Sequence, residues 1–134
     1  MYNGGCMCGA VRFEINGPIE NIVYCHCSQC RKLQGSAFAT NGRVDSDKFK
    51  LVSGQDQLTG YEMVPGLIKS FCKICGSPIM GQYASKPEFV RIRLGTIESE
   101  ISETPSAHIF ATSKAGWDRI CDDLPQYEGF EPGR

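Results

Sequence analysis

Eight cysteines stand in this 134-residue chain, and their spacing carries the chemistry. Cys6-Met7-Cys8 comes first, then Cys25-His26-Cys27-Ser28-Gln29-Cys30, then Cys72-Lys73-Ile74-Cys75, and Cys121 stands alone. A closed structural zinc site takes four ligands, with Zn–S distances of about 2.3 Å, and a Cys-x-Cys or Cys-x-x-Cys turn is an economical source of two thiolates. Gly9 and Gly76, directly after Cys8 and Cys75, suit a backbone that curls around a metal with positive φ or close approach. Pairing Cys6 and Cys8 with Cys72 and Cys75 gives one four-thiolate site. It leaves Cys25, Cys27 and Cys30 as three ligands with an open coordination position, the arithmetic of a reactive zinc. The spacing also allows a second arrangement, in which Cys121 or His26 closes the second site and both zincs are structural. His26 is the poorer of the two, because both of its neighbours are candidate ligands and adjacent side chains diverge.

The elements that must position these groups are short strands. Residues 11–15 alternate apolar with polar and end at Gly17-Pro18. Residues 22–24 form a second strand leading into the three-cysteine group, and 28–33 has room for a helical turn. Residues 35–40 read as a strand closed by an Asn41-Gly42 turn. Further strands are expected over 49–52, 57–62, 67–71, 79–83, 89–94 and 108–111. Val90, Ile92 and Leu94 share one face of their strand, and Arg91 and Arg93 share the other. Apolar residues nowhere recur at helical spacing over three turns. With 15 Gly and 7 Pro as punctuation, the pattern predicts an all-β sandwich or folded double sheet.

Length predicts a single domain over residues 1–120, followed by an irregular tail over 121–134 that holds Asp122, Asp123, Pro125, Gly129, Pro132 and Gly133. Fourteen Lys and Arg against fifteen Asp and Glu leave a net charge of −1, which gives no overall attraction for nucleic acid or an anionic membrane. No run approaches the roughly 18 apolar residues of a membrane span. Met1-Tyr2-Asn3-Gly4-Gly5 lacks the charged then apolar opening of a secretory signal. The expected compartment is the reducing cytoplasm, where clustered cysteines bind metal or do chemistry more often than they form disulfides.

The segments Cys6-Met7-Cys8-Gly9-Ala10-Val11-Arg12-Phe13 and Cys25-His26-Cys27-Ser28-Gln29-Cys30-Arg31-Lys32 carry a family resemblance. Gly35-Ser36-Ala37-Phe38, Phe71-Cys72-Lys73-Ile74-Cys75-Gly76-Ser77, His108-Ile109-Phe110 and Ser113-Lys114-Ala115-Gly116-Trp117 follow in the same order. Together they make the chain resemble, over residues 4–117, the glutathione-dependent formaldehyde-activating enzyme family, which also contains centromere protein V. Gly116 stands where that family more usually has proline. The resemblance implies a mostly β fold of two antiparallel sheets around a structural zinc, of the type shared with methionine sulfoxide reductase B. It assigns the structural zinc to Cys6, Cys8, Cys72 and Cys75 and a second, catalytic zinc to Cys25, Cys27 and Cys30. The activity it implies is a carbon–sulfur lyase using glutathione as co-substrate and formaldehyde as electrophile. The partner is then a small-molecule thiol, with neither nucleic acid nor membrane involved.

Three thiolates on zinc leave a formal local charge of −1, and a soft sulfur is the natural incoming ligand. A free thiol has a pKa of about 8.5, whereas a metal-coordinated one is deprotonated. The thiolate is the form that attacks the carbonyl carbon of formaldehyde. Arg31 and Lys32, directly after Cys30, are candidates to offset the charge or receive a substrate carboxylate, against the alternative of solvated surface cations. His26 is weighed as acid or base for the adduct oxygen against an ordinary exposed histidine. Ser36 is weighed as a hydrogen-bond donor against a residue packed in a strand. His108 and Trp117 read as structural, Trp117 as a cap on one end of the sandwich, and Cys121 as a partly buried spare thiol. A redox role for Cys121 is disfavoured, because nearby Asp118, Asp122 and Asp123 would raise its pKa. The competing function is a non-catalytic zinc scaffold that binds a protein partner, and the lack of a basic extension argues against a chromatin role for it.

Overall fold

The computed structural model describes residues 1–134. Ten strands and one α-helix follow in the order β1 Tyr2–Gly5, β2 Arg12–Ile15, β3 Glu20–Cys25, α1 Ser28–Gln34, β4 Ala39–Asp45, β5 Phe49–Ser53, β6 Leu58–Val64, β7 Leu67–Cys72, β8 Pro78–Tyr83, β9 Phe89–Arg93 and β10 Ala107–Ile109. They make a three-stranded sheet, β1-β2-β5, and a seven-stranded sheet, β10-β3-β4-β9-β8-β7-β6. This is the mostly β, two-sheet architecture expected. Every strand pair is antiparallel except β10 on β3, which is parallel.

Period-two alternation gives each sheet two unlike faces. Phe13 and Ile15 of the small sheet pack against Val44, Ile79, Val90 and Ile92 of the large one, with Val11, Ile19, Ile22, Cys6 and Cys72 completing the core. Phe13, Ile15, Ile79 and Ile92 are all but sealed from solvent, and each such side chain contributes about 1.5–3 kcal/mol by leaving water. The register Asn41↔Arg93, Arg43↔Arg91, Arg91↔Gly81 and Gly81↔Lys69 places these residues together on the opposite face of the large sheet. That face is polar and carries the site. A smaller core of Val23, Cys25, Cys30, Ala39, Ala107 and Ile109 pins α1 against the sheet through Cys30.

Four local expectations are corrected. Residues 35–40 are not a strand: Gly35 closes α1 in the left-handed region at φ 64°, and β4 begins only at Ala39. Asn41-Gly42 is not a turn but lies inside β4, because buried Asn41 accepts a hydrogen bond from Arg93 and Ile19 packs directly over Gly42. β1 was not anticipated, since Tyr2-Asn3-Gly4-Gly5 has no apolar alternation to announce it. Trp117 does not cap the sandwich; it lies in a turn and is 76% exposed, while the neighbouring Ala115 takes the buried place.

Residues 121–134 have irregular backbone, yet they are docked. Pro125 O accepts from His108 N at 2.9 Å, Tyr127 N donates to His108 O at 2.9 Å, and Gly129 O accepts from Phe110 N at 3.2 Å. These bonds extend the edge of the large sheet beyond β10.

A side chain at position 42 tests the packing of β4. A Cβ there would lie 2.3 Å from Ile19 Cγ2, so Gly42→Ala is expected to cost about 1–3 kcal/mol in denaturant unfolding. Gly95→Ala, which meets nothing within 4 Å, is expected to stay within about 0.5 kcal/mol of the parent.

Candidate metal centres and the thiol cavity

Both sets of cysteines proposed from spacing come together. The ligand atoms of Cys6, Cys8, Cys72 and Cys75 all lie within 4.8 Å of one another, and so do those of Cys25, Cys27 and Cys30. No cysteine is in a disulfide. Neither His26 nor Cys121 joins the second group.

The first centre is built from two tight turns. Gly9 N donates to Cys6 O at 3.2 Å and Gly76 N to Cys72 O at 2.7 Å, and both glycines have the positive φ that the curl requires, 83° and 79°. Cys6 and Cys8 sulfurs are 3.5 Å apart and Cys8 and Cys72 sulfurs 3.8 Å apart. A tetrahedral site with Zn–S of about 2.3 Å has S···S edges of about 3.8 Å, so these four soft donors fit zinc. Val11 N donates to Cys6 Sγ at 3.2 Å, and the Ser77 hydroxyl lies 3.2 Å from Cys75 Sγ. The Ser77 contacts are the main reason that the Cys75 pKa is pulled down to about 5, toward the ligand form.

The second centre sits where β3 runs into α1. Cys25 is the last residue of β3, Cys27 is the N-cap of α1, and Cys30 lies in its first turn. Cys27 Sγ accepts from Cys30 N at 3.2 Å, the bond that an N-cap side chain supplies to an otherwise unpaired helical N–H. Hydrogen bonds from Cys25 and Cys30 pull the Cys27 pKa down, and those from Cys27 and Cys30 push the Cys25 pKa up. Extended backbone sends successive side chains to opposite sides. His26 therefore turns away from both flanking cysteines and is fully buried, which corrects its reading as an exposed histidine. Its Nε2 lies 2.8 Å from His108 Nδ1, and His108 Nε2 lies 3.0 Å from the Asp122 carboxylate. His108 is buried in β10. Burial and the neighbouring His108 lower the His26 pKa.

Facing the three thiols are two cations that sequence reasoning did not single out. Lys69 on β7 and Arg93 on β9 both have pKa values lowered, chiefly by burial, and both are opposed in this by the charges of Cys25, Cys27 and Cys30. Arg93 is anchored by its hydrogen bond to Asn41 Oδ1. Lys69 lies across β8 at Gly81, where a Cβ would stand 3.0 Å from its Nζ. The one sequence signal was that Arg93 alternates with core residues, and only the strand register shows what lies opposite it. Arg31 and Lys32 stand outside the cavity: Arg31 Nε donates to His26 O at 3.3 Å and Lys32 is exposed. Ser36 is exposed in the turn after α1 rather than packed in a strand. Cys121 is exposed rather than partly buried, its thiol directed at Arg119 O, 3.7 Å away. The open side of the three-cysteine group forms a cavity of about 210 Å³, walled by Asn41, Leu67, Lys69, Ile109 and Phe110.

A mostly β domain with one closed four-cysteine centre and one three-cysteine centre opening on a cavity defines a zinc-binding thiol protein of two unlike sites. The family model described as glutathione-dependent formaldehyde-activating enzyme matches residues 1–113, and the chain belongs to that family. A curated relative from Halomonas elongata, named "Putative glutathione-dependent formaldehyde-activating enzyme", is 30% identical over 128 residues, covering 90% of this chain and 81% of the relative. One of the same name from Colletotrichum graminicola is 26% identical over 104 residues; the match takes in 69% of this chain and 54% of that protein. A crystal structure of a Rhodobacter sphaeroides protein superposes with a TM-score of 0.63 at 27% identity, covering 77% of this chain and 97% of that one.

The two centres should respond differently to loss of a ligand. Cys72 is fully buried and its centre ties the start of the chain to the β7–β8 turn, so Cys72→Ser is expected to cost more than about 4 kcal/mol in zinc-replete denaturant unfolding. Serine is a good N-cap, so Cys27→Ser keeps the cap of α1 and is expected to cost less than about 2 kcal/mol in the same experiment.

Proposed function

We propose that this protein is a zinc-dependent carbon–sulfur lyase that makes and breaks the C–S bond between a small thiol, glutathione or a close relative, and formaldehyde. The observation that carries the reading is the three-cysteine group with no fourth protein ligand and its open side on a cavity. The closed four-cysteine centre is structural in this reading, and the second one is catalytic. When bound at the second centre, zinc favours the thiolate form of an incoming thiol.

The chain's own residues do the rest. Cys25, Cys27 and Cys30 hold the metal and bring negative charge, which a fourth sulfur would increase. Lys69 and Arg93 offset that charge from within the cavity wall and its immediate surroundings, in place of Arg31 and Lys32 outside it. Leu67, Ile109 and Phe110 keep water from the reacting atoms. The sulfur attacks the carbonyl carbon, the C–S bond forms as the carbonyl π bond breaks, and the oxygen takes up the proton given up by the thiol. Lys69 donates a hydrogen bond to that oxygen as its charge develops, and in the lyase direction the same steps run backwards. A cytoplasmic setting belongs to the proposal, because the ligand thiols must stay reduced.

Formation of S-hydroxymethylglutathione above the spontaneous rate is the direct test, followed by NMR on zinc-loaded protein. Cys27→Ser is expected to abolish the excess rate, and Lys69→Met to lower it by about 10²-fold, the loss typical of one transition-state donor. No excess rate in the zinc-loaded parent would favour a zinc scaffold, and an excess rate that survives Cys27→Ser would remove the three-cysteine centre from the chemistry.

A further inference from the structure

The thiol cavity has an apolar neighbour. A cavity of about 240 Å³ lies beside it, and Lys69 lines both. Its walls include Leu33, Tyr61, Phe71, Pro78 and Met80, and its two cations, Lys69 and Arg93, are the pair that face the three thiols. Two local periodicities run from the cysteine centre into this space. Cys30 and Leu33 are three residues apart on α1 and share one helix face. Lys69 and Phe71 are two residues apart on β7 and share one face of the large sheet, with Tyr61 beside Lys69 in the register with β6. One end of the cavity is therefore the cation pair at the thiols, and the other is a set of carbon side chains. Leu33, Tyr61 and Phe71 belong to neither hydrophobic core, and Leu33 is 38% and Tyr61 55% exposed. Apolar side chains gathered around a concave space beside reactive groups are the usual lining of a small-molecule site. Formaldehyde, with only hydrogens on its carbonyl carbon, has nothing to place there. An apolar cavity of about 150 Å³ takes benzene, so this one has room for a phenyl-sized group.

We infer that this cavity is a binding site for the apolar substituent of a carbonyl substrate, so that the electrophile this chain takes is an aldehyde larger than formaldehyde. The apolar site stands on the geometry alone; its assignment to the electrophile rests on the proposed lyase reading. In that reading the sulfur lies at the three cysteines and the carbonyl oxygen at Lys69, so the carbonyl carbon sits between them. Its substituent then extends along Leu33 and Phe71, while the body of the thiol keeps the cavity of about 210 Å³ that Lys69 also lines. The bond changes are those of the formaldehyde reaction. The thiol sulfur bonds to the carbonyl carbon, the π bond breaks, and the oxygen takes the thiol proton to give a hemithioacetal. The walls set the substrate class as aliphatic and aromatic aldehydes without a charged group, because the cavity's only charges are the two cations at its sulfur end.

Two measurements on zinc-loaded protein separate the claims. Benzyl alcohol has a phenyl group but no carbonyl, so its titration, followed by NMR shifts, reads the apolar site without any chemistry. It is expected to bind saturably, and Leu33→Gln and Tyr61→Ala are each expected to weaken it about fivefold, the loss typical of part of an apolar wall. Both side chains are exposed, so neither substitution threatens the fold. The second measurement compares phenylacetaldehyde with formaldehyde as partners of glutathione. The parent is expected to accelerate both reactions, and each variant to lower the phenylacetaldehyde-to-formaldehyde ratio of kcat/KM about tenfold. No saturable binding of benzyl alcohol, or affinities within about twofold of the parent in both variants, would overturn the apolar site. An excess rate with formaldehyde but none with phenylacetaldehyde would overturn its assignment to the electrophile. No excess rate with either aldehyde would remove the lyase reading instead, and the apolar site would stand or fall on benzyl alcohol alone.

Discussion

Three cysteine sulfurs, the half-buried Lys69 and the buried Arg93 share one side of the large sheet, and their mutual attraction is the interaction on which the rest of the site depends. Removing a charge from water is costly, so negative charge on the sulfurs favours Lys69 and Arg93 on this face, and the two cations in turn offset the repulsion among thiolates gathered there. The surrounding residues serve that pairing. Asn41 gives up the turn that its sequence favours in order to accept from Arg93, and Gly81 leaves the space that Lys69 crosses.

The four-cysteine centre has a different task. Cys6 and Cys8 follow β1 of the small sheet, and Cys72 and Cys75 flank the turn between β7 and β8 of the large one. A metal held there would clamp the two sheets at one end, while the core around Phe13 and Ile92 holds them elsewhere. The division of labour follows from ligand count rather than burial: Cys6 and Cys72 of one group and Cys25 and Cys30 of the other are all core residues, but only the second group has three thiols and lines the thiol cavity.

The cysteine knuckles were legible in the sequence because they are local: two ligands, a short spacer and a glycine fit in a handful of residues, whereas spacing left their pairing open and the family resemblance assigned it across 64 positions from Cys8 to Cys72. The strands over 11–15, 67–71 and 79–83 were legible for the same reason, their alternation being a local property. Lys69 and Arg93 were not, because their meaning lies in a register among β4, β7, β8 and β9 that no segment states alone. His26 shows the same limit. Its neighbours in sequence suggested a place beside the metal, but its neighbour in space is His108, brought in by a parallel pairing with β10 that joins residues 82 positions apart. The Asn41-Gly42 turn signal was overridden by tertiary packing, and the tail was irregular, as expected, but tied to β10 by backbone bonds that composition does not reveal.

The docked tail adds to what the family's motifs define. It reaches His108 through Asp122 on one side and the thiol cavity through Phe130 and Arg134 on the other, so both flanks of the three-cysteine centre are finished by residues outside the matched region. The central claim is that this chain holds two zinc ions in unlike sites, one closed and one open. Elemental analysis of zinc in the purified parent and in Cys30→Ser tests it most directly. Two zinc ions per chain in the parent and one in the variant are predicted, and the same count in both would contradict it.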